Sequence, residues 1–178
     1  MGSRIPRAFS LTLLVLGLSI AATPAAATTE KPATVTAELE QAVLANMNAL
    51  RRQHGLSALR LSPALSAAAR QHSTEMATRG YFSHSSANGA SFDRRIARYY
   101  GSAGRRYWSV GENLLWSSPS VDSAGALKMW LDSPPHRKIM LTARWREIGL
   151  SAVHVTAAPG TYGGREVTIV TADFGVRR

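Results

Sequence analysis

The feature of this sequence best placed to do chemistry is a histidine set directly behind two prolines. The stretch LDSPPHRKIM, Leu131 to Met140, reads as a helix start, with Ser133 as N-cap and Pro134 at the first helical position, where its missing N–H costs nothing. His136 then stands at the third helical position. There the positive end of the helix dipole disfavours an imidazolium and keeps the ring neutral, as a metal ligand or proton acceptor requires. A surface histidine on a capped helix is the other reading these residues allow. His72 has Glu75 one turn away on its helix, but it shares an apolar stripe with Leu65 and Met76 and reads as a packed core histidine. His54 precedes Gly55 and suits a helix C-terminus. His154 lies in a strand pattern and points to nothing further.

A second chemical feature is the segment RRIARYYGSAGRRYW. Arg94, Arg95, Arg98, Arg105 and Arg106 interleave there with Tyr99, Tyr100, Tyr107 and Trp108. Such a run can hold phosphate or uronate groups while aromatic rings stack, or it can be a solvated arginine face.

The elements that must position these groups follow from periodicity. Leu39, Val43, Met47 and Leu50 recur at helical spacing from Glu38 to His54, with Gly55 as the stop. A second helix runs from Ser62-Pro63 to Gly80. A short helix is predicted from about Phe92 to Tyr100, between two Ser/Gly-rich loops. SVGENLLW fits neither period. SPSVDSAGALKMWLD reads as a helix capped by Ser120, and the Ser133-Pro134 helix follows. EIGLSAVHV and REVTIVTADFG flank TAAPGTYGG as two antiparallel strands. Helices first and strands last predict a mixed α+β domain, and there is no internal repeat.

The chain has 178 residues, no cysteine and a formal net charge of +10. Arg4 and Arg7, an apolar run and Ala25-Ala26-Ala27 mark residues 1–27 as a secretory signal peptide. Residues 28–36 read as a short polar lead-in and 37–178 as one domain. No later stretch is apolar for long enough to span a bilayer, so a secreted, extracytoplasmic protein is expected. Without cysteine there are no thiol nucleophiles, iron–sulfur clusters or cysteine-based zinc sites. The basic balance favours anionic partners. Nucleic acid is poorly motivated outside the cytoplasm, and an anionic cell-envelope polymer or lipid headgroup fits better.

YFSHSS, VGENLLW, MWLDSPPHR and REIGLSAV occur in that order. Together they resemble the CAP superfamily, also called SCP or PR-1-like, in its secreted bacterial branch, over Ala37 to Phe174. The resemblance implies a three-layer α-β-α sandwich with a central antiparallel sheet and a cleft lined by two histidines and acidic residues. By position those residues are His84, Glu112 and His136. The further glutamate of many eukaryotic members falls on Ser133, leaving Asp132 beside it, or Asp93 from the loop side, as substitutes. The bacterial motif usually reads Ser-Pro-Gly-His, and Pro135 replaces the glycine here.

Two neutral imidazoles and a carboxylate, His84, His136 and Glu112, form a ligand set suited to zinc or another borderline divalent metal, with a position left for water. The set permits metal binding without demanding catalysis. A serine nucleophile at Ser133 is disfavoured by its capping place and by the lack of a G-x-S-x-G elbow. The expectation is a secreted monomer whose cleft binds a divalent metal and a small or lipidic ligand, since relatives of this fold include sterol and fatty-acid binders. A secreted metal-dependent hydrolase of peptide or cell-wall substrates is the alternative.

Overall fold

The structure, a computed structural model, describes residues 33–178. The predicted leader, its cleavage site and most of the lead-in lie outside the described residues. Among the described residues no helix is long and apolar enough to cross a membrane.

Helix α1 (Ala37–Gln53) buries Val43 and Met47 on the predicted stripe, and His54 is its C-cap. Helix α2 (Pro63–Arg79) opens with Ser62 Oγ accepting from Leu65 N and closes at Gly80. Its buried face carries Ala68, Ala69, Ser73 and Ala77 between Leu65 and Met76, and these small side chains let the helix lie close to the sheet. Gly149 completes that approach, because a Cβ there would fall inside contact distance of the Leu65 and Ser66 backbone. Ser73 Oγ donates to Thr171 Oγ1 at 2.7 Å, so the same face also carries a polar tie.

Strands β3 (Trp108–Ser117), β4 (Glu147–Ala158) and β5 (Arg165–Arg177) form the body of the sheet. Two short strands, β1 (Thr34–Val35) and β2 (Arg60–Leu61), complete the order β1-β4-β5-β3, with β2 also on β4. The two long C-terminal strands pair antiparallel, as predicted, from Glu147 opposite Gly175 to Ala158 opposite Arg165. Strand β3 lies at one end of the order and pairs only with β5 on that path. Helices α2 and α3 (Phe92–Ala97) cover one face, and α1, α4 (Ser123–Asp132) and α5 (Pro134–Met140) cover the other. The result is the expected α-β-α layering. Its main core gathers Trp130, Trp145, Ile148, Leu150, Val170 and Phe174 on the α1 side.

Three local readings change. The unassigned SVGENLLW is β3, buried on both faces through Glu112–Leu115, which erases the alternation of a half-exposed strand. The lead-in contains the β1 pairing of Thr34 with His154. Helix α4 is capped not by Ser120 but by Asp122, whose Oδ1 accepts from Gly125 N at 2.7 Å. A carboxylate there also meets the positive helix end, an advantage serine lacks.

Replacing Gly149 by alanine should cost about 2 kcal/mol or more, because backbone rather than a flexible side chain occupies the space. The unfolding midpoint in urea measures this, and a midpoint equal to wild type would mean that α2 can retreat from β4 without loss.

Candidate functional site

Glu112 and Asn113 are neighbours on β3 and point to opposite faces of the sheet. Glu112 is 2 % exposed and reaches the α3 side, where one carboxylate oxygen accepts from His84 Nδ1 at 2.7 Å and the other is paired with Arg95 Nη2. Asn113 reaches the α5 side and donates from Nδ2 to the His136 carbonyl at 3.1 Å. The tripeptide Gly-Glu-Asn thus ties two layers to one strand. Gly111 makes room for the Trp145 ring, which a Cβ would meet at 2.9 Å.

Around this strand lies a cavity of about 440 Å³. His84 and Phe92 form one wall, and Pro135, His136, Ile139 and Trp145 the other. His84 is half exposed. With the Glu112 carboxylate paired to Arg95, His84 Nδ1 is the donor toward it and Nε2 keeps a free lone pair. Burial, and then the neighbouring charge of His84, push the His136 imidazole below its ordinary range. Its Nδ1 is buried without a hydrogen-bond partner. The neutral His136 argued from the helix start is therefore reached chiefly by desolvation.

His84, Glu112 and His136 are brought together; Asp132, Ser133 and Asp93 are not among the residues lining this cavity. Asp132 bonds Lys128 at 2.6 Å and lines a separate groove between α1 and α4. Ser133 is the N-cap of α5 but makes no side-chain cap bond. Asp93 is exposed, with its carboxyl lowered by a hydrogen bond from Ser91. A larger, shallower groove of about 880 Å³ runs along the outer side of α2 and contains no histidine.

The acidic partner that sequence reasoning missed is Asp173. It sits opposite Glu112 in the β3–β5 register and is completely buried, with neither oxygen hydrogen-bonded. Burial raises its carboxyl well above the usual range, the Glu112 charge raises it further, and Arg95 opposes both. The signal was a carboxylate between Ala172 and Phe174 in the buried stretch of the strand. Arg95 was also misread. Rather than joining the basic face, it is fully buried and donates to the His84 carbonyl at 3.1 Å and to Ser86 Oγ at 3.3 Å. Tyr100 is buried as well, while Arg94, Arg98, Arg105 and Arg106 stay exposed. His72 is the packed core histidine expected, with Nε2 at 2.8 Å from the Ser83 carbonyl and its pKa lowered first by burial.

The donor set fits a divalent metal in one respect and not in another. Among the described residues no three His, Cys, Asp or Glu side chains form a metal-holding group, and both oxygens of Glu112 are already engaged. The two imidazoles do share one cavity. Glu112 stands behind His84 in the place from which an outer-shell carboxylate fixes a ligand's tautomer.

The model of the CAP family, described as the cysteine-rich secretory protein family, matches residues 44–174, although the chain has no cysteine. The uncharacterized protein YkwD of Bacillus subtilis is 33 % identical over 127 residues, 71 % of this chain and 46 % of that protein. The uncharacterized membrane protein YlbC of the same organism is 29 % identical over 127 residues, 71 % of this chain and 35 % of its own. An extracellular protein containing a SCP domain from Bacillus anthracis, solved at 1.5 Å, superposes with a TM-score of 0.60 at 27 % identity, over 80 % of this chain and 41 % of that one. The chain therefore spans less than half the length of each.

Asp173 supplies a test of the buried network. Its folded pKa is raised, so from about pH 4 upward the native chain binds more protons at this position than the unfolded chain, and stability falls as pH rises. Asp173→Asn should remove that slope and stand above wild type at neutral pH. Denaturant midpoints across about pH 4 to 8 measure the difference, and parallel curves for the two proteins would mean that Asp173 is ionised and paired.

Proposed function

The chain belongs to the CAP family, and from that premise we propose that it is an extracytoplasmic binding protein whose cleft offers two imidazoles to a borderline divalent cation, zinc foremost, and to a small or lipidic ligand. The observation that carries this reading is the His84–Glu112–Arg95 relay. It fixes the His84 tautomer so that Nε2 is an electron-pair donor, in a cavity shared with an unpartnered His136 Nδ1. His84 and His136 would hold the ion, with water completing the coordination, and the ion would supply Lewis-acid polarisation of a bound oxygen. Phe92, Val110, Ile139 and Trp145 give the same cavity an apolar wall for the body of a small ligand. Among the described residues Glu112 is the only carboxylate lining the cavity, and both its oxygens are engaged. The arrangement therefore favours holding a ligand over hydrolysing one. The leader-like residues 1–27 and the extracellular SCP-domain protein among the similar structures support export.

Zinc should bind the wild type at neutral pH. His84→Ala and His136→Ala should each abolish binding, and Glu112→Gln should weaken it roughly 10- to 100-fold through loss of ring orientation. Since the His136 pKa is lowered, that ring stays available below the ordinary histidine range as pH falls. Isothermal titration calorimetry on the three variants decides; unchanged affinity in both alanine variants sinks the metal reading.

An anionic envelope polymer remains the partner suggested by Arg94, Arg98, Arg105 and Arg106 around the exposed Tyr99 and Tyr107. Reversing those four charges should lower the salt needed for elution from a polyanion column. Co-elution with wild type would reduce the segment to a solvated face.

A further inference from the structure

The floor of the cleft is a sheet edge. Strand β3 keeps an uninterrupted register with β5 from Trp108 to Ser117, so its backbone groups alternate strictly between β5 and the outer side. Two contacts fix the phase. Tyr107 exchanges both backbone bonds with Arg178, at 2.9 and 3.1 Å, which turns the odd-numbered residues toward β5. The Leu114 carbonyl accepts from Trp130 Nε1 at 3.1 Å, which turns the even-numbered residues outward. Trp130 thereby covers one part of the edge. The next outward residues are Glu112 and Val110, and both line the cavity. Their N–H and C=O groups have no partner among the described residues.

An edge strand that lines a cavity between two walls is a template for another strand, reached here through the cavity, since Glu112 itself is 2 % exposed. Two outward residues about 7 Å apart offer up to four backbone hydrogen bonds, and the cavity of about 440 Å³ has room for a short extended segment. Its charge selects further. Besides the two histidines, Lys138 and Arg144 line it, while among the described residues Glu112 is the only acid and is paired with Arg95. Arg144 also lies over the Trp145 ring at 4.7 Å, a cation–π contact that holds its guanidinium beside the cavity.

We infer that the cleft ligand is an extended acidic peptide segment, added as a strand to the Val110–Glu112 edge of β3 between His84 and His136, with its carboxylates met by Lys138 and Arg144. This rests on reading the cleft as a ligand site, and it does not require the metal. Backbone bonds set affinity, and the flanking cations set the preference for acidic side chains.

The test uses the full chain in EDTA-containing buffer and an array of hexapeptides in which Glu or Asp alternates with apolar residues, against the same peptides with Lys in the acidic places. Acidic members should bind at least tenfold more tightly. The tightest, resynthesised with N-methyl groups on alternate backbone nitrogens, should lose at least tenfold in one of the two methylation registers. Val110→Pro removes an outward N–H while leaving the β5 ladder paired, and should lower peptide affinity by a similar factor. The peptide-side substitution stands even if that variant folds poorly. Equal binding of acidic and basic arrays, or of both N-methylated registers, overturns the inference. So does polygalacturonate binding that outcompetes every peptide and is indifferent to Val110→Pro. Peptide binding in EDTA with no zinc affinity overturns the metal reading alone.

Discussion

The site depends on one buried ion pair, Arg95 with Glu112, each side chain about 1 % exposed. Removing both charges from water is expensive, and such a pair persists only where further hydrogen bonds complete it. Here they do. The Glu112 carboxylate also accepts from His84 Nδ1, and the Arg95 guanidinium also donates to the His84 carbonyl. The same residue is therefore held at its ring and at its backbone by the two members of the pair. That closed arrangement gives an otherwise exposed loop residue a defined orientation. It also sets terms for its neighbour: Asp173 lies against Glu112, where burial and the adjacent negative charge favour its protonated form.

The second constraint is the sheet edge. Because consecutive side chains of a strand face opposite ways, Glu112 can organise the α3 side while Asn113 organises α5. The two imidazoles approach from different layers and share a cavity across the strand that separates those layers. Such a site requires β3 to be terminal in its sheet. A strand paired on its outer side would fill the space that the histidines now share.

How far the sequence revealed this depends on whether a signal was local. Helices α1 and α2 carried their caps and stripes openly, and β4 and β5 announced themselves as a pair. Strand β3 did not, because Gly-Glu-Asn interrupts its apolar residues and both faces are covered. Residues His84, Glu112 and His136 came from ordered motifs, not periodicity, and the structure gathers them while assigning Glu112 an orienting place behind His84. Arg95 was illegible for a physical reason. Three of its neighbours in sequence, Arg94, Arg98 and Asp93, are exposed, so composition averaged it into a surface face, although Ile96 beside it is fully buried. Asp173 could be read as anomalous in an apolar strand, but its partner sat on another strand, 61 positions earlier in number.

A chain with no cysteine must fasten its long connections by other means, and here side-chain donors clamp backbone carbonyls. Arg51, completely buried, donates to the carbonyls of Ser57, Met140 and Thr142, so it satisfies the end of α5, where helix carbonyls lack intrahelical partners. Trp145 Nε1 takes the Ile139 carbonyl, and Asn113 that of His136. On the opposite layer, Tyr162 Oη donates to the Tyr81 carbonyl, while His72 Nε2 holds the carbonyl of Ser83. These ties converge on the segments that carry the two cleft histidines. A disulfide restrains the unfolded chain and so would stiffen those segments regardless of packing. Hydrogen-bond clamps act only once the core has placed their donors. The precision of the cleft therefore follows from the packing of α1, α2 and the sheet, and a lesion remote from the histidines, at Arg51 for example, reaches the ligand site through the helix end it holds.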